Sequence, residues 1–411
     1  MKRPAFSRFA PPILLGASIF LMMPSLASAG WVAQTSGTTD WLGSVHFPVD
    51  ALTGYAVGNW GTFGKTTDGG AYWVFQYTGT TSWLRSVHFP VDALTGYAVG
   101  NNGTIWKTTD GGANWVRQSS GTNYPLYSVH FPQNASTGYV VGPPSTILKT
   151  TNGGTNWVAQ ASGTSNLLQS VHFPVDAQTG YAVGGDPSPG TIRKTTDGGT
   201  AWVGQTSGTT QWLRSVHFPV NASTGYAVGL SGAILKTTDG GVNWVSQTSG
   251  TTNHLFSVHF PVDASTGYIM GQNGIILKTT DGGTNWVSQT SGTTNDLYSV
   301  HFPVDAQTGY AVGAGGIILK TTDGGVGVEE SRQGDRETRG QGERLRATPN
   351  PFTSFATLPG HEDELLSLYD IAGRRVGTYK GERIGMDLRP GVYFIRALER
   401  KAGLGRIVKI R

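Results

Sequence analysis

Four short runs rich in β-branched and aromatic residues recur along most of the chain. In one copy they occupy 83–89, 95–100, 104–109 and 114–119, with Gly, Pro, Asp and Thr clusters between them. Such runs, bounded by turn residues, read as strands. A tryptophan marks each copy: Trp31, Trp73, Trp115, Trp157, Trp202, Trp244 and Trp286 stand 42 residues apart, except for one spacing of 45. The copies read close to WVxQTSGTTxxLxSVHFPVDAxTGYAVGxxGxILKTTDGGxN. Four strands in about 40 to 45 residues make one propeller blade.

The phase of the repeat predicts how the array closes. The segment 31–36 is a fourth strand with no first three before it. The last copy runs through Asp323-Gly324-Gly325 and has Val328 where its tryptophan should stand. The N-terminal strand should therefore complete the last blade beside 317–321, which covers edges that an open array would expose. The expectation is an all-β chain: a seven-bladed β-propeller over 30–328 closed by its N-terminal strand, then a small C-terminal β-sandwich.

Composition and charge sharpen this division. The chain has 411 residues and no Cys, which removes disulfides, thiolate metal sites and cysteine nucleophiles. The net charge of +4 suggests a basic protein, but its distribution says otherwise. Residues 30–328 hold eleven Lys and Arg against fourteen Asp and no Glu. The basic excess lies at the two ends, so nucleic acid is not an expected partner. Residues 1–29 carry Lys2, Arg3 and Arg8, an apolar run over 13–23 and then Ala27-Ser28-Ala29. That is the pattern of a secretory signal peptide. No later segment is apolar enough to span a membrane as a helix.

Each copy ends in a turn such as Thr108-Thr109-Asp110-Gly111-Gly112-Ala113-Asn114-Trp115. This resembles the Asp-box, or BNR, repeat. Asp68, Asp110, Asp197, Asp239, Asp281 and Asp323 hold the acidic position, and Asn152 replaces it once. An Asp side chain accepts backbone N–H bonds in a tight turn, and Asn keeps that acceptor, so these residues read as structural. The longer string TGYAVGNNGTIWKTTDGGANW resembles the propellers related to the photosystem II assembly and stability factor, over 30–327. That resemblance implies the blade. Photosynthetic members are associated with an Arg-rich face, whereas this propeller has only Arg85, Arg117, Arg193 and Arg214.

Candidate chemistry is sparse. A His recurs in every Ser-Val-His-Phe: His46, His88, His130, His172, His217, His259 and His301. A metal ring is one reading. An inter-blade packing or hydrogen-bonding element is the better one, because every blade has it, and the expected ring positions are too far apart for one tetrahedral site. No metal or cofactor is expected. Asp-box propellers include sialidases, whose Tyr–Glu nucleophile pair is impossible without Glu. A two-carboxylate glycosidase would have to use Asp40, Asp186 or Asp296, the acids outside the repeat pattern. Asp40 and Asp296 belong to adjacent blades and are expected near each other. The expectation is no enzyme, with an extracellular glycosidase or an assembly factor as alternatives.

Function should show where the blades differ. The loop entering each blade varies, as does the connection between its second and third strands. In a four-stranded meander both emerge on one face. Trp41, Trp83 and Trp212 share one register in the entry loops, with Arg85, Arg214 and Tyr298 two positions further on in theirs. Exposed aromatics beside Arg suit sugar rings or peptide side chains. The candidate ligand-binding set is Trp41, Trp83, Arg85, Trp212, Arg214 and Tyr298, for an unidentified glycan, peptide or envelope protein.

Residues 329–346 are charged and lack aromatics, as a solvated linker does. Strand-like runs follow at 365–369, 374–379, 391–397 and 406–410. Over 347–411 the chain resembles the C-terminal sorting domain of the type IX secretion system. The matching residues are Pro349-Asn350-Pro351-Phe352, Leu368-Tyr369-Asp370-Ile371-Ala372-Gly373-Arg374-Arg375-Val376, Leu388-Arg389-Pro390-Gly391-Val392-Tyr393-Phe394 and the final Lys409-Ile410-Arg411. The resemblance implies that machinery as a partner and a secreted or outer-membrane-surface protein.

Overall fold

The computed structural model describes residues 30–77, 79–186, 190–325, 365–369, 375–380, 391–397 and 405–409. They fall into two compact units divided after Gly325. The expected signal peptide at 1–29 and the linker at 329–346 lie outside the described residues.

The first unit is built of seven four-stranded antiparallel sheets, each a meander from an innermost to an outermost strand. In the second blade the strands are Leu84–His88, Gly96–Gly100, Thr104–Thr108 and Val116–Gln118. The seventh blade takes its outermost strand from the other end of the chain. Val32–Gln34 pairs antiparallel with Ile318–Thr321, with Val32 opposite Lys320 and Gln34 opposite Ile318. The seven-bladed propeller closed by its N-terminal strand is thus the observed fold.

The core lies between blades, because each sheet presents its faces to its neighbours. Every second strand, Gly-Tyr-Ala-Val-Gly or a close variant, is buried throughout. Tyr97 stacks on Phe131 of the next blade at 3.9 Å between centroids. Phe131 in turn meets Trp157 edge-on at 6.0 Å. Both boundaries of the seventh blade repeat this arrangement: Tyr268 stacks on Phe302 at 4.0 Å and Phe302 meets Trp31 at 5.8 Å, while Tyr310 stacks on Phe47 at 3.8 Å and Phe47 meets Trp73 at 6.1 Å. Trp31 therefore supplies the aromatic that the last copy lacks. Such pairs add about 0.5–1.5 kcal/mol each beyond the area they bury.

Polar latches fasten the same boundaries. The Tyr97 hydroxyl donates to Ala135 O at 2.8 Å and to Gly153 O at 3.1 Å. Lys107 Nζ donates to the same Gly153 O at 2.7 Å while lying over the Tyr97 ring. The accepting carbonyl belongs to the Asp-box turn of the next blade. Within a box, Thr108 Oγ1 donates to Asp110 Oδ1 at 2.8 Å, and Asp110 Oδ1 accepts the Asn114 N–H at 2.9 Å. These bonds favour the ionised carboxylate and hold its pKa down at about 2, the Asn114 backbone contributing most. Asn152 makes the matching pair, with Thr150 Oγ1 at 3.0 Å and Asn156 N at 2.9 Å.

A third set of bonds closes the axis. The innermost strand of each blade has one edge without a strand neighbour. Its Val and Phe N–H groups donate to side chains of the preceding blade. Val129 N donates to Ser86 Oγ at 3.3 Å, and Phe131 N donates to His88 Nδ1 at 3.2 Å. The pattern recurs at all seven boundaries, including Val45 to Ser299 and Phe47 to His301. The His rings form a closed circle, with adjacent centroids 4.6–5.0 Å apart. Neighbouring rings are therefore in contact. The wide spacing expected of these rings is not observed; each Nδ1 instead accepts a backbone N–H, the inter-blade hydrogen-bonding role. Among the described residues no group of three or more His, Cys, Asp or Glu is placed to hold a metal.

In the second unit the described strands form one antiparallel sheet, ordered Arg375–Lys380, Leu365–Tyr369, Gly391–Ala397, Gly405–Lys409. Leu368 on its second strand is buried. The second layer of the expected sandwich lies outside the described residues.

Two outcomes follow from these boundaries. A Cβ on Gly96 would clash with three atoms of the Phe89 ring. Gly96→Ala should lower stability by about 1–3 kcal/mol, measured by chemical denaturation. The His ring sets an acid limit. Burial drives His88 and His259 down to about 4, and holds the other five well below their ordinary value with help from neighbouring imidazoles. A neutral folded His and an unfolded His near its ordinary 6.5 make protonation favour unfolding. Stability is full above about pH 6.5 and should fall from there towards pH 4. The carboxylates of Asp68, Asp110, Asp197, Asp239 and Asp281, held low by their turn hydrogen bonds, contribute loss only below their ordinary 3.8. Denaturation midpoints flat between pH 6.5 and 4 would refute this account.

Candidate functional site

The innermost strands also build the mouth of the propeller. Their start breaks strict alternation. Reading back from buried Val87, alternation puts Ser86 on the opposite side, Arg85 with Val87 and Leu84 with Ser86. A β-bulge intervenes: the register shifts between Leu84 and Ser86 where they face Gly100 and Val99. Leu84 is buried, and Arg85 and Ser86 stay together, both half-buried at the cavity. The same shift occurs at Gly43, Gln169, Arg214, Phe256 and Tyr298. In the third blade Tyr127 occupies the position without a strand assignment, its N–H donating to Val141 O at 2.7 Å.

These side chains surround a cavity of about 630 Å³. Trp41, Trp83, Arg85, Arg214 and Tyr298 from the sequence-derived set line it. Trp212 is not among its lining residues. It packs against Gly185, where the insertion in the fourth blade passes, leaving no room for a Cβ. Trp60, another aromatic outside the repeat, is exposed in a turn at φ 55° and stands outside the cavity.

An aromatic arc runs along one side. Trp41, 45 % exposed, lies 5.7 Å from Trp83 and 6.1 Å from Tyr298 between centroids. Phe256 continues it, 5.4 Å from Tyr298. Arg85 lies over Trp83 at 4.7 Å and near Tyr127 at 5.4 Å, and donates Nε to Asn101 Oδ1 at 3.2 Å. Arg214 enters from the fifth blade with its Nε buried and unpartnered. Burial disfavours the charge on both guanidinium groups, and Arg214 adds repulsion at Arg85. Burial also raises the Tyr298 hydroxyl pKa, and Asp296 beside it reinforces the shift.

The two acids expected close together serve different clefts. Asp296 lines the mouth and accepts the Asn273 N–H at 2.9 Å. Asp40 Oδ2 accepts from Thr62 Oγ1 at 2.7 Å and from Tyr77 OH at 3.2 Å, in a shallow cleft at the rim. They do not form a paired-carboxylate site. Asp186 sits at φ 86° beside the fourth-blade insertion, outside the mouth.

Sequence reasoning passed over two groups of lining residues. Tyr127, Gln169 and Phe256 share the bulge register with Arg85, and that register was the available signal. Six of the seven Ser residues of Ser-Val-His-Phe also line the mouth. A search for differences between blades is blind to them, since every blade has one.

Comparison with known proteins agrees with this architecture. No curated protein matches the chain. Among solved structures, YCF48 from Cyanidioschyzon merolae is 20% identical, covering 71% of this chain and 98% of that one at a TM-score of 0.59. YCF48 bound to D1 peptide is also 20% identical, covering 71% and 97% at a TM-score of 0.60. The RRP9 WD40 repeats share the fold at 10% identity and a TM-score of 0.63, covering 72% and 98%. The model of the photosynthesis system II assembly factor YCF48 family matches residues 73–207 and 206–291, more than half of the sequence. With its seven blades and their recurring Asp-box turns, the chain belongs to the photosynthesis system II assembly factor YCF48 family.

Proposed function

We propose that this chain is a non-enzymatic binding propeller that takes a peptide or protein segment at its mouth. The observation that carries this reading is the aromatic arc of Trp41, Trp83, Tyr298 and Phe256 around an open cavity. Exposed, rigid aromatics with an adjacent Arg are the usual anchors of protein recognition. The structural neighbour bound to D1 peptide supports a peptide over a glycan. A glycosidase lacks support, because Asp40 and Asp296 serve separate clefts. Assembly-factor activity is a reading compatible with a peptide ligand, and differs from it in what the bound segment belongs to.

The place of action is a second part of the proposal. Signal-peptide features in 1–29 and sorting-domain motifs in 347–411 support export by type IX machinery to the outer surface or beyond. The four-stranded sheet of the second unit suits a compact terminal module.

Each part has its own test. Trp41→Ala and Trp83→Ala should each weaken capture on a peptide array by about 2 kcal/mol without moving the melting transition of the propeller. Undiminished capture by the double variant would place the site elsewhere. A reporter carrying 1–29 at its N-terminus and 329–411 at its C-terminus should leave a type IX-competent cell, and its retention in the periplasm would sink the export reading.

A further inference from the structure

The repeat determines the hydrogen-bonding character of the funnel below the mouth. At each boundary a Ser Oγ accepts a backbone N–H of the next blade, as Ser86 does from Val129 and Ser215 from Val258, both at 3.3 Å. One layer deeper, His Nδ1 accepts the next Phe N–H, as His88 does from Phe131 at 3.2 Å. An accepting Nδ1 on a neutral ring places the proton on Nε2. The Ser hydroxyl hydrogens and the His Nε2–H groups are then left as donors. Among the described residues no protein acceptor receives them. Six of these Ser line the cavity.

Two cations stand over this ring of donors. Arg214 makes no hydrogen bond or ion pair among the described residues, and its Nε is buried. Arg85 donates only to a neutral amide and meets no carboxylate. Asp296 is the one acid lining the cavity, and its carboxylate is engaged by Asn273 N and Tyr298. The mouth thus holds two positive groups and one negative group. A guanidinium N–H buried without an acceptor, as at Arg214 Nε, is costly in the free protein. A single anion in the funnel can pair with both guanidinium groups and accept from the donors beneath them.

We infer that the funnel receives a carboxylate of the bound ligand between Arg85 and Arg214, above the Ser ring, while the ligand's apolar part lies on Trp41, Trp83 and Tyr298. The surplus of one positive charge suits a monoanion. This rests on the mouth being the ligand site. The carboxylate can belong to a free small molecule or to an acidic side chain of a peptide, and the probes separate the two.

Titration calorimetry on the full chain tests the inference with benzoate against benzyl alcohol, and with an end-blocked Phe-Asp dipeptide against Phe-Asn. Benzoate should bind at one site per chain, at least about tenfold tighter than benzyl alcohol, since charge-assisted contacts are the stronger ones. Added salt should weaken benzoate and spare benzyl alcohol, a readout that needs no variant. Arg85→Gln with Arg214→Gln should remove the preference while the melting transition confirms folding. A preference for Phe-Asp over Phe-Asn identifies a peptide source, and benzoate binding without that preference identifies a small-molecule source. Equal affinity for benzoate and benzyl alcohol, or benzoate binding unchanged in the double Arg variant, overturns the inference. Peptide capture that depends on Trp41 but not on either Arg would leave the mouth as the ligand site and remove the anion. Benzoate binding with peptide capture indifferent to Trp41 and Trp83 would do the reverse.

Discussion

The structure depends on how the inner edge of each blade is satisfied. An innermost strand has a sheet neighbour on one side only. Its free N–H groups point into a narrow axial space where a further strand does not fit. The preceding blade supplies side-chain acceptors instead, Ser for Val and His for Phe. Each blade's edge is thus completed by the blade before it, and the chain of dependence returns to its start at His301 and Phe47. An incomplete array would leave one edge of N–H groups unpaired and one set of side chains idle. Ring closure and hydrogen-bond satisfaction are the same requirement.

That requirement also decides where variation is tolerated. Ser and His are held by the backbone they satisfy. Phe, Tyr and Trp are held by stacking across the boundary, and Lys by the Asp-box carbonyl. The bulge residue carries none of these duties. It is therefore free to be Gly43, Arg85, Tyr127, Gln169, Arg214, Phe256 or Tyr298 without breaking the ring. The same bulge brings that residue to the cavity. Freedom to vary and access to ligand coincide at one backbone irregularity, which is how near-identical repeats can build an asymmetric site.

The fold was legible because the repeat displays its own phase. Seven tryptophans at a fixed spacing give the blades, and the missing tryptophan near Val328 points to Trp31 as its replacement. The site was only partly legible. Trp83 and Trp212 hold the same sequence register and diverge in space, because the fourth-blade insertion brings Gly185 beneath Trp212 while Trp83 faces Arg85. Asp40 is held towards the rim by Tyr77, an aromatic where the next blade has Ser119. The first outcome turns on a contact between neighbouring blades and the second on one between an entry loop and the outer strands of the blade it enters, residues that stand in different copies of the repeat. The Ser ring escaped for the opposite reason, as part of the constant background.

Charge ties these features together over the whole propeller. Eleven of its fourteen Asp belong to the Asp-box turns and to the Val-Asp-Ala loops, which the meander places on the face opposite the mouth. Seven Lys are latched to Asp-box carbonyls and offset part of that charge, leaving the far face net negative by four. The four Arg and the remaining three Asp leave the rest of the propeller net positive by one. Of these, Arg85, Arg214 and Asp296 line the funnel, which is therefore net positive by one while the far face is net negative by four. An anion approaching at random is repelled by the constant face and drawn to the variable one. The acids that fix the blade turns thus also orient the approach of a ligand whose charge is matched by Arg85 and Arg214.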